Sequence, residues 1–254
     1  MSEQFSGEGI GRKADFVADV VNRTLHDLVI RCTKTEEVRN YYNLSVLGYG
    51  SGVQPALAGA LAGRELVPIS ELADNPARVD TRNKKVSDGA GGLVEQQVRF
   101  PIWIDASSGG GTPMCEALAL ATKVVEEWVS VHPNSFPPTV LHLTDGESTD
   151  GDPTQAGRKI TNLRTSDGSV LLYTCHVSSK SGGKVEYPSG DSSLPDDFAK
   201  TLFSMSSRLP DSFTKAAVQQ GIKADEGARG FVFNGDAASV VQFFDIGTRP
   251  ANLR

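Results

Sequence analysis

Positive charge is in deficit in this chain: 25 Lys and Arg stand against 31 Asp and Glu across 254 residues, a formal net charge of −6. That balance does not invite a phosphate backbone or an anionic membrane surface, so a general nucleic-acid binder is disfavoured. Cysteine is scarce. Cys32, Cys115 and Cys175 are too scattered for a Cys-x-x-Cys metal pair and odd in number for a secreted disulfide framework, so they read as small packing residues. No run of about 18 apolar residues occurs and no charged start precedes an apolar segment, which argues against a membrane span and a signal peptide and gives the expectation of a cytoplasmic protein. The four histidines form no His-Glu-x-x-His or other close pair, and His142 and His176 fall within apolar strand candidates, where they read as core residues. No phosphate-loop lysine follows Gly109-Gly110-Gly111. The Gly48-Tyr49-Gly50-Ser51-Gly52 run has Val53 where a dinucleotide fingerprint needs glycine and Tyr49 where a nucleophile elbow needs one.

What is present is a globular composition, 39% hydrophobic and 22% charged, with 26 glycines that mark many tight turns. From Gly11 to Arg31 the residues Val17, Val21, Leu25 and Leu28 recur at helical spacing, which predicts an amphipathic helix. A β-rich run from Tyr41 to Gly52 follows. Between Ala56 and Lys85 the pattern predicts an edge strand at Leu66 to Ile69 and a proline-initiated polar helix at Pro76 to Lys85. A strand at Val98 to Ile104 runs through Asp105-Ala106-Ser107-Ser108 into the glycine loop and a long helix carrying Leu118, Ala121, Val125, Trp128 and Val129. Strands at Thr139 to Thr144 and Ser169 to Val177 flank a polar helix at Thr154 to Arg164, and the second of them is apolar on both faces, as a buried parallel strand requires. A surface loop is expected over Ser178 to Ser193, then helices at Pro195 to Ser206 and Asp211 to Gln220, a strand in Gly230 to Phe233, and a last helix at Asp236 to Phe244. Strands alternating with helices predict an α/β fold with a mainly parallel sheet. The ten residues ahead of the first helix hold only Met1, Phe5 and Ile10 as large apolar groups, so the opening strand of a doubly wound sheet is missing from its usual place.

Two loops carry the chemistry, each after a predicted strand and before a helix, where open α/β sheets place ligands. One is Gly109-Gly110-Gly111-Thr112-Pro113-Met114, and the other runs from Thr144 through Asp145-Gly146-Glu147 to Asp152. A carboxylate and a hydroxyl at a sheet end are hard oxygen ligands suited to Mg²⁺ or Mn²⁺. Taken singly, Thr112-Pro113 is also an ordinary helix start and Asp145-Gly146 an ordinary turn. Glu147, Asp150 and Asp152 read as solvated loop charges, since position six from Asp145 is not the glycine that an EF-hand loop needs.

At these residues the sequence resembles the von Willebrand factor type A domain family. Its metal-ion-dependent adhesion site combines an Asp-x-Ser-x-Ser motif after the first strand, a lone threonine before a helix and an Asp-Gly after a hydrophobic strand. Thr112 matches the second and Asp145 the third. The first motif is absent, and Met1 and its successors resemble the residues immediately after it, which gives the expectation of a chain truncated ahead of that motif and its central strand. The resemblance implies a Rossmann-like three-layer sandwich over 1–254, a single domain with insertions at about 53–97 and 178–195. It implies a protein-binding module and not an enzyme, whose Mg²⁺ or Mn²⁺ accepts an acidic side chain from a partner protein, with Thr112 and Asp145 as ligands and binding weak or absent in this chain. Two alternatives stand beside it. A metal-dependent hydrolase or phosphatase-like enzyme would need a nucleophile or general base beside the metal, and a scaffold domain with a dead metal site would show no metal-dependent binding.

Overall fold

The computed structural model describes residues 1, 3, 12–87, 92–178, 183–219, 221 and 224–248. They group into two compact units, Met1–Val20 with Leu47–Gln54 and Ala106–Arg254, and Val21–Val46 with Pro55–Asp105. Among the described residues no helix is long and apolar enough to cross a membrane.

Helix α1 (Lys13–Cys32) matches the expected amphipathic segment and buries Val20, Leu25, Leu28 and Cys32. The β-rich run after it does not form one continuous strand. It resolves into short antiparallel pairs: β1 (Thr33–Lys34) with β2 (Glu37–Val38), β3 (Asn43–Leu44) with β6 (Val67–Pro68), and β4 (Leu47–Tyr49) with β5 (Val53–Pro55). In the second unit, Leu28, Cys32 and Ile69, the first residue of α2 (Ile69–Asp74), pack together. The polar helix expected at Pro76 to Lys85 is instead β7 (Arg78–Ser87), paired antiparallel over its full length with β8 (Leu93–Ile102). The cause is tertiary. Phe100 and Ile102 of β8 are buried, and Arg82 of β7 lies over the Phe100 ring at 3.7 Å, so the partner strand decides a segment whose own composition is indifferent. Beyond β8, buried Asn22 of α1 accepts from the amides of Trp103 and Ile104 and donates to the Ile104 carbonyl, satisfying backbone that has left its ladder.

The first unit holds the sheet. Its elements are α3 (Met114–Val131), β9 (Thr139–Thr144), α4 (Thr154–Asn162), the small pair β10 (Arg164–Thr165) and β11 (Gly168–Ser169), β12 (Leu171–Val177), β13 (Val185–Glu186), α5 (Asp197–Met205), α6 (Asp211–Gln219), β14 (Phe231–Gly235) and α7 (Ala237–Gly247). The strand order is β13-β14-β12-β9, with β9, β12 and β14 parallel and β13 antiparallel at one edge. β13 lies within the segment expected to be loop, because β14, apolar on both faces, needs a strand on its second side; residues 179–182 of that segment lie outside the described residues. Alternation along the strands builds two cores. Tyr173, Cys175, Val177 and Val232 face Val20 of α1, Phe213 of α6 and Val240, Phe243 and Ile246 of α7. Leu172, Phe231 and Phe233 face Met114 and Leu118 of α3, Ile160 of α4 and Leu202 and Phe203 of α5. The unit is thus a mostly parallel sheet with helices on both faces, an α/β architecture.

β9 has one strand partner among the described residues, β12. Leu171 of β12 donates to the Pro138 carbonyl, so by the two-residue period the peptide groups of Pro138, Val140, His142 and Thr144 face β12 while those of Thr139, Leu141 and Leu143 face away. On that open side the Tyr49 hydroxyl of β4 donates to the Leu143 carbonyl at 2.7 Å.

Candidate functional site

Parallel strands end together at one edge of this sheet: Thr144 of β9 pairs with His176 of β12, and Val177 with Gly235 of β14. The loop that leaves β9 there begins with a tight turn in which the Thr144 hydroxyl accepts from the Gly146 amide and donates to the Gly146 carbonyl. The turn holds Asp145 partly exposed at the strand end, where its carboxylate forms an ion pair with the α-ammonium of Met1. Met1 in turn accepts from the Ala14 amide at the start of α1.

The glycine loop meets this turn. A Cβ added at Gly146 would lie 3.3 Å from Thr112 Oγ1, so the Thr112 hydroxyl packs closely against the residue that follows Asp145. The structure therefore brings together the loops of Thr112 and Asp145, the two sequence-predicted metal ligands, which are separated by the whole of α3 and β9. Thr112 does not cap α3: the cap position is Pro113, and the first free amides of the helix, Cys115 and Glu116, donate to the carboxylate of Asp150 at 3.0 and 2.9 Å. Asp150 also accepts from the Ser148 hydroxyl at 2.8 Å. Burial alone would raise its pKa, but these donors outweigh it and hold the carboxyl below the ordinary aspartate range. Asp150 is thus no idle solvated charge, and neither is Asp152, which accepts from the amide and hydroxyl of Thr154 at the start of α4. Glu147 is exposed, as expected.

A third loop, not recognised as part of the site from its sequence, joins these two. A Cβ on Gly50 would fall 2.5 Å from the Gly109 carbonyl oxygen, and one on Gly110 would overlap the backbone of Gly50 and Ser51. Gly110 also sits at φ +81, where side chains are strained. The Gly48–Gly52 run, which fails every nucleotide and nucleophile pattern, has a packing purpose: backbone lies on backbone. Its signal was the coincidence of two glycine runs, which fixes no partner in a sequence.

Beneath the loops lies a buried pair. Tyr49 Oη is 3.0 Å from His142 Nε2, and because its hydroxyl proton goes to Leu143, Nε2 carries the imidazole proton and donates to it. Nδ1 is then a bare acceptor, buried and without a partner among the described residues. Burial pushes the His142 imidazole down to about 4. His142 is therefore neutral when folded but takes up a proton when unfolded below its ordinary value near 6.5, so stability is lost as pH falls through that window. Roughly 2 kcal/mol should go between pH 7 and pH 5, where carboxylates contribute little. Urea unfolding at the two pH values, repeated on His142→Asn, measures it: the variant should lose most of the pH slope, and an unchanged slope would place its origin elsewhere.

Cys115 sits in the site, its sulfur 3.9 Å from Ser148 Oγ, but burial pushes its thiol up and leaves it protonated. His176 stacks on Phe233 of β14 with ring centroids 4.6 Å apart, in register with Thr144, the residue before Asp145. Among the described residues no group of three or more His, Cys, Asp or Glu converges as a metal cage would require. Thr112 and Asp145 are hard oxygen donors of the kind Mg²⁺ accepts, with Asp145 already meeting one cation, the Met1 ammonium. Their chemistry fits a divalent ion that keeps most of its water, and their number does not make a tight site. The chain matches no family model, no curated protein and no solved structure.

Proposed function

We propose that this protein is a binding module of the von Willebrand factor A type, which presents a weakly held Mg²⁺ or Mn²⁺ at the end of its parallel sheet to an acidic side chain of a partner protein. One observation supports this reading: Thr112, from the glycine loop, packs against Gly146, the residue that follows Asp145 at the carboxyl edge of the strands. When bound, the ion supplies an electrophilic coordination position. The work of the chain's own residues is to offer one neutral and one charged oxygen and to hold them still, since a site short of carboxylates leaves the ion eager for an outside anionic ligand.

The hydrolase alternative has less support. Cys115 is held as a thiol and His142 is buried and hydrogen-bonded to Tyr49, so neither is poised as nucleophile or base. Mg²⁺ titration followed by amide NMR tests the proposal. Residues 1–254 should bind only weakly, in the millimolar range typical of open, ligand-poor sites, with the shifts concentrated at Gly146 and Thr112 and abolished in Asp145→Ala. Tight stoichiometric binding, or shifts that survive Asp145→Ala, would contradict it.

A further inference from the structure

We infer that Thr149 and Asp150 are positioning residues for this site, forming a clamp that holds the Thr112 hydroxyl in reach of Asp145; the inference rests on the adhesion-site reading and adds to it the groups that set its geometry. The clamp is reciprocal. The Thr112 amide donates to Thr149 Oγ1 at 2.9 Å, and the Thr149 amide donates back to the Thr112 carbonyl at 2.9 Å. The tie continues at the next residue of the acidic loop, Asp150, which takes the Cys115 and Glu116 amides in its two carboxylate oxygens. Gly111 makes room for it, because a Cβ there would lie 2.8 Å from Thr149 Oγ1. No helix-capping side chain comes from the glycine loop itself, so the orientation of Thr112 depends on the loop that also carries Asp145. Both ligands are thereby referred to one frame, the Thr144–Asp152 segment, and a ligand whose orienting partner is removed loses its place without losing its chemistry.

Thr149→Val keeps the shape and removes the acceptor, Thr149→Ser keeps the acceptor, and Gly111→Ala crowds the clamp from the other side. The probe is Mg²⁺ alone, titrated into each variant of residues 1–254 and followed at the Thr112 and Gly146 amides. Thr149→Val and Gly111→Ala should lose the Thr112 response while Gly146 still responds through Asp145, and Thr149→Ser should restore both. A general loss of structure would remove the two responses together and would not be rescued by serine. If Thr112 and Gly146 respond in step in Thr149→Val as in the parent, the clamp is overturned and the adhesion-site reading stands. If Asp145→Ala leaves the parent's response intact, that reading falls and the clamp falls with it.

Discussion

Fusing a designed strand that pairs with the side of β9 turned away from β12 should make the chain far more stable than residues 1–254 alone. A five-residue strand buried on both faces contributes side chains worth about 1.5–3 kcal/mol each, on the order of 10 kcal/mol before chain entropy is subtracted. That is comparable to the whole stability of an ordinary domain. Thr139 to Thr144 contains neither the charges nor the proline with which natural edge strands discourage pairing. The peptide groups of Thr139, Leu141 and Leu143 face that side, and Tyr49 reaches one of them, the Leu143 carbonyl. Hydrogen exchange reads the effect residue by residue. In 1–254 the Leu141 and Leu143 amides should exchange quickly while Val140 and His142, which face β12, are slow; the extended chain should slow all four and melt more cooperatively. Equal solubility and equal exchange in the two chains would contradict the prediction.

Phe231→Ala is expected to cost about 3–5 kcal/mol, the range for emptying a fully buried aromatic site, and to leave 1–254 at or below the threshold of folding. Phe231 has no exposed surface, packs edge-to-face on Phe203 of α5 and stacks beside Phe233, and sits on the sheet face that α3, α4 and α5 share. Phe231→Leu, which refills much of the volume, should recover most of the loss. Denaturant titration of the two variants checks this, and a cost below about 1 kcal/mol for alanine would mean that the site relaxes.

The elements legible in the sequence were those whose pattern is self-sufficient. Thr139 to Thr144 is a strand with the bounds its apolar run suggests, Leu171–Val177 is apolar on both faces and interior, and α3 follows its stripe of Leu118, Ala121, Val125 and Val129. Elements settled by a distant partner were misread. Arg78–Ser87 is polar enough for a surface helix and becomes a strand only because Leu93–Ile102 pairs with it, and Val185–Glu186 is a strand only because β14 offers an edge. The same division runs through the site. Thr112 and Asp145 stand in short motifs and could be named. Asp150 could not, because the free amides it satisfies belong to Cys115 and Glu116, 35 and 34 residues earlier in the chain.

The central claim, that Thr112 and Asp145 belong to a metal-dependent protein-binding site, is tested most directly by a capture experiment. The protein and its Asp145→Ala, Thr112→Ala and Thr112→Ser variants are used as bait in extract of the native host, with Mg²⁺ and again with EDTA. The account predicts that the parent and Thr112→Ser retain the same partner in Mg²⁺ and release it in EDTA, and that Asp145→Ala and Thr112→Ala fail to retain it while melting like folded proteins. Identical capture by Asp145→Ala and the parent, with EDTA making no difference, would contradict it and leave the fold as a scaffold without a working metal site.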